Sequence, residues 1–494
     1  MSNKPILILQ MQRMGDLVLS FPLMEHLRRR YPGHDLKVVG ERAFFEPLKH
    51  LSPLAEYISY EETGGLRNEK FHMVVNLSHR REAAVLAGAV KSDITLGQRL
   101  DAKERLFIDG NWHLYRASLT HNNRYNLYHW SDLNALDVAP PHFSSPASCP
   151  PPRSLAGASP LKRGRIGLFL GASEEVKHPS VTFWADLANR LLHAGYRPVL
   201  LGGTAETGLG SAVALKLNAP ALNLCGHFSL QALTHFLKEL TLLVVPDTGP
   251  MHVATRIGTP VLNLSMGSVN AWETGPATPG HYVARARLSC SGCWQCTRDR
   301  LYCHDNMCPE NVAALIQHML SGNMDKGLPL PVDNNLEVFR TGRKNHGLYT
   351  LTALGSPSDQ EETARPDVQD AQDAQGESLE QRQALSRFWQ DWFGNCFGLF
   401  PDEIRYRAWK NLEAGHPSGV TELRTSAASL AAKLSRQFKT DPTALLQAND
   451  HWRQAPPLLH PFTGYAQMYV QNALGSREAF SHTLSLAERL AEGT

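Results

Sequence analysis

Apolar runs and polar interruptions alternate along the chain with one recurring pattern, seen most clearly from Thr241 to Gly267, TLLVVPDTGPMHVATRIGTPVLNLSMG. Five apolar or β-branched residues, Thr241 to Val245, run into Pro246-Asp247-Thr248-Gly249-Pro250. A helix-like segment with His252 and Ala254 follows, then a second apolar run at Val261 to Leu264. Apolar strands without alternation suit a parallel sheet covered on both faces. The chain opens in the same way: the strand signal Pro5 to Met11 leads through a short loop to a helix with Leu17, Leu19, Leu23, Met24 and Leu27 on its apolar face. LKVVG at Leu36, YISY at Tyr57, MVVNL at Met73 and helical EAAVLAGAV at Glu82 continue it, and a second series starts at Arg165. Alternation of this kind predicts an α/β protein with mainly parallel sheets.

Breaks in the pattern mark domains. Pro and Ser crowd residues 139–164, and residues 355–380 are acidic with almost no large apolar side chains, so both read as connecting stretches. The expected organisation is a Rossmann-like domain over 1–150, a second over 160–325, a hairpin and acidic linker over 326–380, and a helical accessory domain over 381–494. The hairpin is LEVFRTGRKNHGLYTLTAL, with its turn at Lys344 to Gly347. The helical region includes LSRFWQDWFGNCF and PTALLQANDHW, and Trp389, Trp392, Phe393, Trp409 and Trp452 supply a small core. It reads as a bundle or dimerisation domain, with an interfacial membrane helix as the alternative.

Charge is nearly balanced, 49 basic against 47 acidic residues, which leaves no broad footprint for nucleic acid. The first apolar bursts are broken by Gln10, Gln12, Arg13 and Asp16, so neither a signal peptide nor a membrane span is expected and the predicted location is cytoplasmic. Five of eight cysteines cluster as Cys290, Cys293, Cys296, Cys303 and Cys308. Soft ligands at short spacing suit a structural zinc or iron–sulfur site, although the spacing matches no standard motif; buried or redox-sensitive thiols are the alternative.

The candidate chemistry lies in loops after strands. Ligands of open parallel sheets bind beyond the carboxyl ends of the strands, where free N–H groups of the next helix can face a phosphate. Asp247-Thr248-Gly249 fits that role, and also the plainer one of capping a helix and turning the chain. Asp16 could accept a proton from a bound hydroxyl or serve as an N-cap. Lys177 could reach phosphate as a point charge or be a solvated lysine. Gly202-Gly203 suits a tight turn.

Taken together, Met14-Gly15-Asp16 after the first strand, Lys177-His178-Pro179 before Trp184, Gly202-Gly203, and Asp247-Thr248-Gly249-Pro250-Met251-His252-Val253-Ala254 resemble glycosyltransferase family 9, the family of the ADP-heptose:lipopolysaccharide heptosyltransferases, over residues 4 to 320. The resemblance implies a GT-B architecture, in which two Rossmann-like domains face a cleft. It also implies an inverting, metal-independent transferase that needs no cofactor. Asp16 would be the general base; Lys177, Gly202, Gly203, Asp247, Thr248, Gly249 and His252 would serve the nucleotide-sugar donor, with ADP-heptose expected. Arg13, Gly15 and Asn270 would belong to the acceptor side or the loops. The implied acceptor is a lipid-linked, lipopolysaccharide-core saccharide, met by transient contact at the cytoplasmic face of the inner membrane. Where many relatives carry an acidic residue after the strand at Leu264, this chain has Ser265 to Pro276, with Asn270 and Glu273 as the polar replacements. Another nucleotide sugar, a protein acceptor, or a scaffold without turnover are the remaining alternatives.

Overall fold

The computed structural model describes residues 3–138, 149–155, 164–293, 296, 298–324, 327–328, 335–344, 346–355, 377–440 and 454–493. Most of both predicted connecting stretches, and the predicted helix PTALLQANDHW with Trp452, lie outside them.

The first sheet comprises β1 (Ile6–Leu9), β2 (Leu36–Gly40), β3 (Glu56–Ser59), β4 (Lys70–Asn76), β5 (Lys91–Leu100) and β6 (Leu106–Asp109), in the order β3-β2-β1-β4-β5-β6. It is parallel except for β6, and β1 sits between β2 and β4 with Ile6 opposite Leu36 and Met73. Both faces of β1 are covered, as its unalternating sequence requires. Leu7 and Leu9 join the core cluster of Phe71 and Val74, whereas Ile6 and Ile8 join that of Leu17 and Phe21.

The second sheet holds β7 (Arg165–Phe169), β8 (Arg197–Leu201), β9 (Leu222–Asn223), β10 (Leu242–Pro246), β11 (Val261–Ser265), β12 (Tyr282–Ala286), β13 (Leu336–Arg343) and β14 (Tyr349–Ala353), in the order β14-β13-β12-β11-β10-β7-β8-β9. Strand order therefore reverses between β1 and β4 and again between β7 and β10, the two switch points of a GT-B protein. The hairpin expected between domains forms, but it belongs to the second sheet: β13 pairs antiparallel with β12, Tyr282 opposite Arg340.

Nine helices carry the argument below. They are α1 (Met14–Arg30), α2 (Asn111–Ser118), α3 (Gly249–Arg256), α4 (Ala271–Thr274), α5 (Leu379–Cys396), α6 (Asp402–Gly415), α7 (Pro417–Thr440), α8 (His460–Asn472) and α9 (Arg477–Glu492). One apolar layer, with Leu17 and Phe21 of α1 and Met251 and Val253 of α3, joins the facing sides of the two sheets.

The C-terminal helices do not close a core of their own, which corrects the separate-bundle expectation. Leu385, Phe388, Trp389, Trp392 and Phe393 repeat at helical spacing on α5 and share one cluster with Trp112 and Tyr115 of α2 and with Tyr128. Tyr115 and Phe393 stand 4.7 Å apart between ring centroids, and Tyr128 donates to the Gln390 carbonyl at 2.5 Å. Four buried aromatic residues on one helix need more partner surface than the other C-terminal helices supply, and the 111–136 region provides it. Among the described helices, none is long and apolar enough to cross a membrane.

Candidate functional site

Two strand-to-helix turns meet between the sheets. β1 hands over through Gln10 to Arg13 into α1, and β10 hands over through Asp247 and Thr248 into α3. Their first turns abut: a Cβ on Gly249 would run into the Met14 methyl and lie 3.5 Å from the Gly15 nitrogen, and a Cβ on Gly15 would stand 3.0 Å from His252 Cδ2. A side chain at position 15 would thus crowd the His252 ring, whereas one at position 249 would displace only the flexible end of Met14. Helix N-termini leave N–H groups unspent, so two positive dipole ends point into one crevice. On α3, Pro250 has no N–H, and Gly249 heads the helix.

Asp16 is not the N-cap of α1; Arg13 is. Asp16 stands three residues on, where its carboxylate is favoured by the backbone N–H groups of Arg13 and of Asp16 itself, an arrangement like the return half of a capping box. A helix N-terminus by itself favours the ionised carboxylate and so makes it a weak base. Burial outweighs the dipole: desolvation raises the pKa of Asp16 above the ordinary aspartate value, against Arg116, the backbone donors and Arg13, which lower it. A raised pKa makes Asp16 the stronger proton acceptor.

Asp247 follows the same rule. Burial pushes its pKa up to about 6, Thr274 Oγ1 donates to it, Lys177 opposes the rise, and the charges of Asp16 and Glu174 add to it. Lys177 closes the short helix Glu175–Lys177, pairs with Glu174 at 2.8 Å, and lies near enough to Asp247 for its charge to act there. Its loop is fixed by Gly267, whose φ is +72° and where a Cβ would collide with the Val176 carbonyl oxygen.

His252 is buried on α3; desolvation pushes its pKa down to about 3, leaving a neutral ring against Gly15. Gly202 and Gly203 sit one loop further along. Gly203 N–H donates to Glu206 Oε2 at 2.7 Å, and Gly202 leaves room for the same side chain. Arg13 is exposed at the crevice mouth. Asn270 is buried and fully engaged: its amide donates to the carbonyls of Asn123 (3.2 Å) and Asn126 (2.9 Å), and its oxygen caps Trp272 N–H. It therefore holds the loop, the second of the two places expected for it.

Sequence reasoning missed Arg116 and the weight of Glu273. Arg116, 5 % exposed on α2, donates to the Leu77 carbonyl at 3.1 Å and stacks on Trp130 at 4.4 Å. Desolvation pushes its pKa down to about 10, against the charges of Asp16 and Glu273. Nothing in NWHLYRAS marks this arginine, because only the tertiary fold brings it to Asp16. Glu273 accepts from Asn123 Nδ2 at 2.5 Å, and burial pushes its pKa up to about 8, with Asp247 adding to the rise. The crevice thus gathers three carboxylates, all shifted upward, around Arg116 and Lys177.

The cysteine loop packs against this site. His304 Nε2 bonds the Val176 carbonyl at 2.8 Å, next to Lys177. Cys290, Cys293, Cys296 and Cys303 are near enough to influence one another's ionisation, and burial raises Cys293 to about 11. Cys308 stands apart and donates to Glu310 at 2.5 Å. Among the described residues, no three His, Cys, Asp or Glu side chains take up a metal-binding arrangement.

Residues 63–301 match the family model described as glycosyltransferase family 9 (heptosyltransferase). Over that stretch, just under half of its length, the chain is similar to this family. The chain is 20 % identical over 276 residues to the lipopolysaccharide core heptosyltransferase OpsX of Haemophilus influenzae, covering 53 % of this chain and 78 % of that one. Among solved structures, the ADP-heptose lipopolysaccharide heptosyltransferase II of Escherichia coli is 18 % identical with a TM-score of 0.48, over 64 % of this chain and 98 % of that one. The dodecameric iron-containing heptosyltransferase TibC of E. coli, in complex with ADP-D-β-D-heptose, is 14 % identical with a TM-score of 0.41, over 65 % and 78 %. The C-terminal helices from Leu379 onward fall outside the matched family region.

Proposed function

We propose that this family 9 enzyme moves heptose from ADP-heptose to a saccharide acceptor of the lipopolysaccharide-core type, with inversion at the anomeric carbon and Asp16 as general base. The observation that carries the reading is the abutment of α1 and α3, which sets Asp16 and Asp247 in one crevice near enough for their charges to interact. In this reading Asp16 takes the proton of the acceptor hydroxyl as its oxygen attacks the anomeric carbon. The bond from that carbon to the diphosphate oxygen breaks, and ADP departs with the electron pair. Lys177 and the Gly249 N–H meet the negative charge that grows on the diphosphate, where preorganised donors stabilise the transition state most. Arg116 keeps Asp16 ionised in a desolvated site. Neutral His252 braces Gly15, and Gly202 and Gly203 shape the loop beside the donor. Acceptor delivery involves transient contact with the cytoplasmic face of the inner membrane.

A calorimetric screen of ADP, UDP, GDP and CMP, followed by transfer assays with the matching heptose or hexose donors and a heptose-deficient core acceptor, tests this. Selective ADP binding and heptose transfer support it. Selective binding of UDP or GDP overturns the donor, and nucleotide binding without transfer or hydrolysis favours the scaffold alternative. A structural zinc or iron–sulfur group at Cys290, Cys293, Cys296 and Cys303 is proposed on their spacing; no step of transfer passes through it. Metal content of the purified protein against Cys293→Ser is its test.

A further inference from the structure

On the far side of α4 from Asp247 lies a cavity of about 880 Å³, walled by the 124–127 loop, β12 to β14 and α5. That volume falls in the range of small-molecule sites. Six cations line it: Arg124, Arg285, Arg287, Lys344, Arg382 and Arg387. Three have carboxylates in contact, Arg124 with Glu377, Arg285 with Glu337 and Arg287 with Glu380. The other three do not. Arg382, 6 % exposed, spends its guanidinium on the main-chain carbonyls of Ser289 (2.5 Å) and Arg124 (3.0 Å), and the carboxylate that acts on it, Glu377, is already paired with Arg124. Lys344 donates to the amide oxygen of Gln390 at 2.8 Å. Arg387 is exposed at the rim, and Asp391 one turn on acts at longer range on both Lys344 and Arg387.

Gathering cations in a partly desolvated space is costly unless an anion joins them. Here the cost is visible: burial pushes the pKa of Arg382 down to about 9, and Arg124 and Arg285 push it the same way. None of the six figures among the charges acting on Asp16 or Asp247, and the one-turn helix α4 stands between, with Trp272 on the cavity side and Thr274 on Asp247. We propose that this cavity is a second ligand site, separate from the donor crevice, for a small polyanion carrying two or more phosphate groups, either free or borne on a saccharide. Arg382 at the base and Lys344 and Arg387 nearer the rim supply three cations for such groups. The site is built largely from β13, β14 and α5, which lie outside the matched family region, so it is a property of this chain's own extension.

The test titrates inorganic pyrophosphate and glucose 1,6-bisphosphate into full-length protein saturated with ADP, at low ionic strength where charge is least screened. One further site per chain is expected; Arg387→Glu should weaken it at least 10-fold, and Lys177→Ala should leave it intact. Tighter binding of the bisphosphate assigns the ligand to the saccharide-borne class, and tighter binding of pyrophosphate to the free one. Arg382→Gln, checked for fold by circular dichroism, should weaken it as well. Should the protein bind no ADP, the same titration without ADP still reads the site, so failure of the donor reading leaves this proposal open to its own result. Four outcomes would overturn it: no binding, a site indifferent to Arg387→Glu, a site abolished by Lys177→Ala, or binding that appears only after removal of residues 356–376, which would make the chain's own acidic segment the occupant.

Discussion

The crevice and the cavity lie on opposite sides of α4, and their electrostatics are reversed. In the crevice, Asp16, Asp247 and Glu273 are all shifted toward protonation by burial, and two cations, Arg116 and Lys177, hold part of their charge. In the cavity, Lys344, Arg382 and Arg387 outnumber the two carboxylates that act on them from a distance, Asp391 on Lys344 and Arg387, and Glu377, itself paired with Arg124, on Arg382. A site rich in carboxylates with raised pKa values is built to accept a proton near neutral pH; a site with surplus cations is built to hold an anion without reacting with it. The lesson is that excess charge, and not volume, separates the chemical site from the binding site.

The sharpest way to break this contrast is Asp16→Asn. Removing a general base should lower kcat by a factor on the order of 10² to 10⁴, with ADP affinity nearly unchanged in calorimetry; equal rates in the two proteins would take Asp16 out of the mechanism. Lys177→Ala should come next, weakening ADP about 10-fold, the scale of one charge-assisted hydrogen bond. Undiminished affinity would place the lysine in solvent.

The pH dependence tests the raised carboxylates directly. Asp16 must be ionised to act, and its pKa is raised, so kcat/KM should fall with acidification along a limb lying above the ordinary aspartate range. A limb at an unperturbed value would show that the site is wetter than its burial implies.

Stability supplies a gentler probe. Folded Glu273 keeps its proton up to about pH 8, against 4.5 for an ordinary glutamate, so its contribution is fully present below the unfolded value and is lost as pH rises through the folded one. Wild type should therefore lose Tm relative to Glu273→Gln between pH 5 and pH 8, by a few °C for each kcal/mol lost, on the order of 2–4 °C for a chain of this size or somewhat less. Parallel curves would mean that Glu273 is ionised throughout. The smallest effect is the one that separates the two sites: Arg387→Glu should change ADP affinity less than about 2-fold, since Arg387 is not among the charges acting on Asp16 or Asp247 and an exposed charge is screened by salt.

The family motifs were legible because each is local. Asp16, Lys177 and Asp247-Thr248-Gly249 directly follow apolar runs, and a strand followed by a polar loop and a helix places its loop at a predictable end of the sheet. Arg116 was illegible for the opposite reason. Its helix carries no pattern that points to Asp16, a hundred residues earlier, and the two charges act on one another only because β4, β5 and α2 fold back beside β1. Asn270 shows a third case, in which the residue was visible and its task was not: a polar side chain in a loop reads as a ligand contact until the buried carbonyls of Asn123 and Asn126 are seen to claim it.

The spacing of apolar residues and the chemistry of turns are enough to specify the two α/β halves, the strand-to-helix turns that carry the motif residues, and the helical character of the C-terminal region. Long-range packing sets the rest: the hairpin at Leu336 to Ala353 completes the second sheet, α5 buries Trp389 and Trp392 against the first domain, and six cations from four separate segments line one cavity. The physical reason is range. Periodicity reports how a segment meets its own surroundings, whereas charge balance and shared cores depend on which distant segments come to lie beside it.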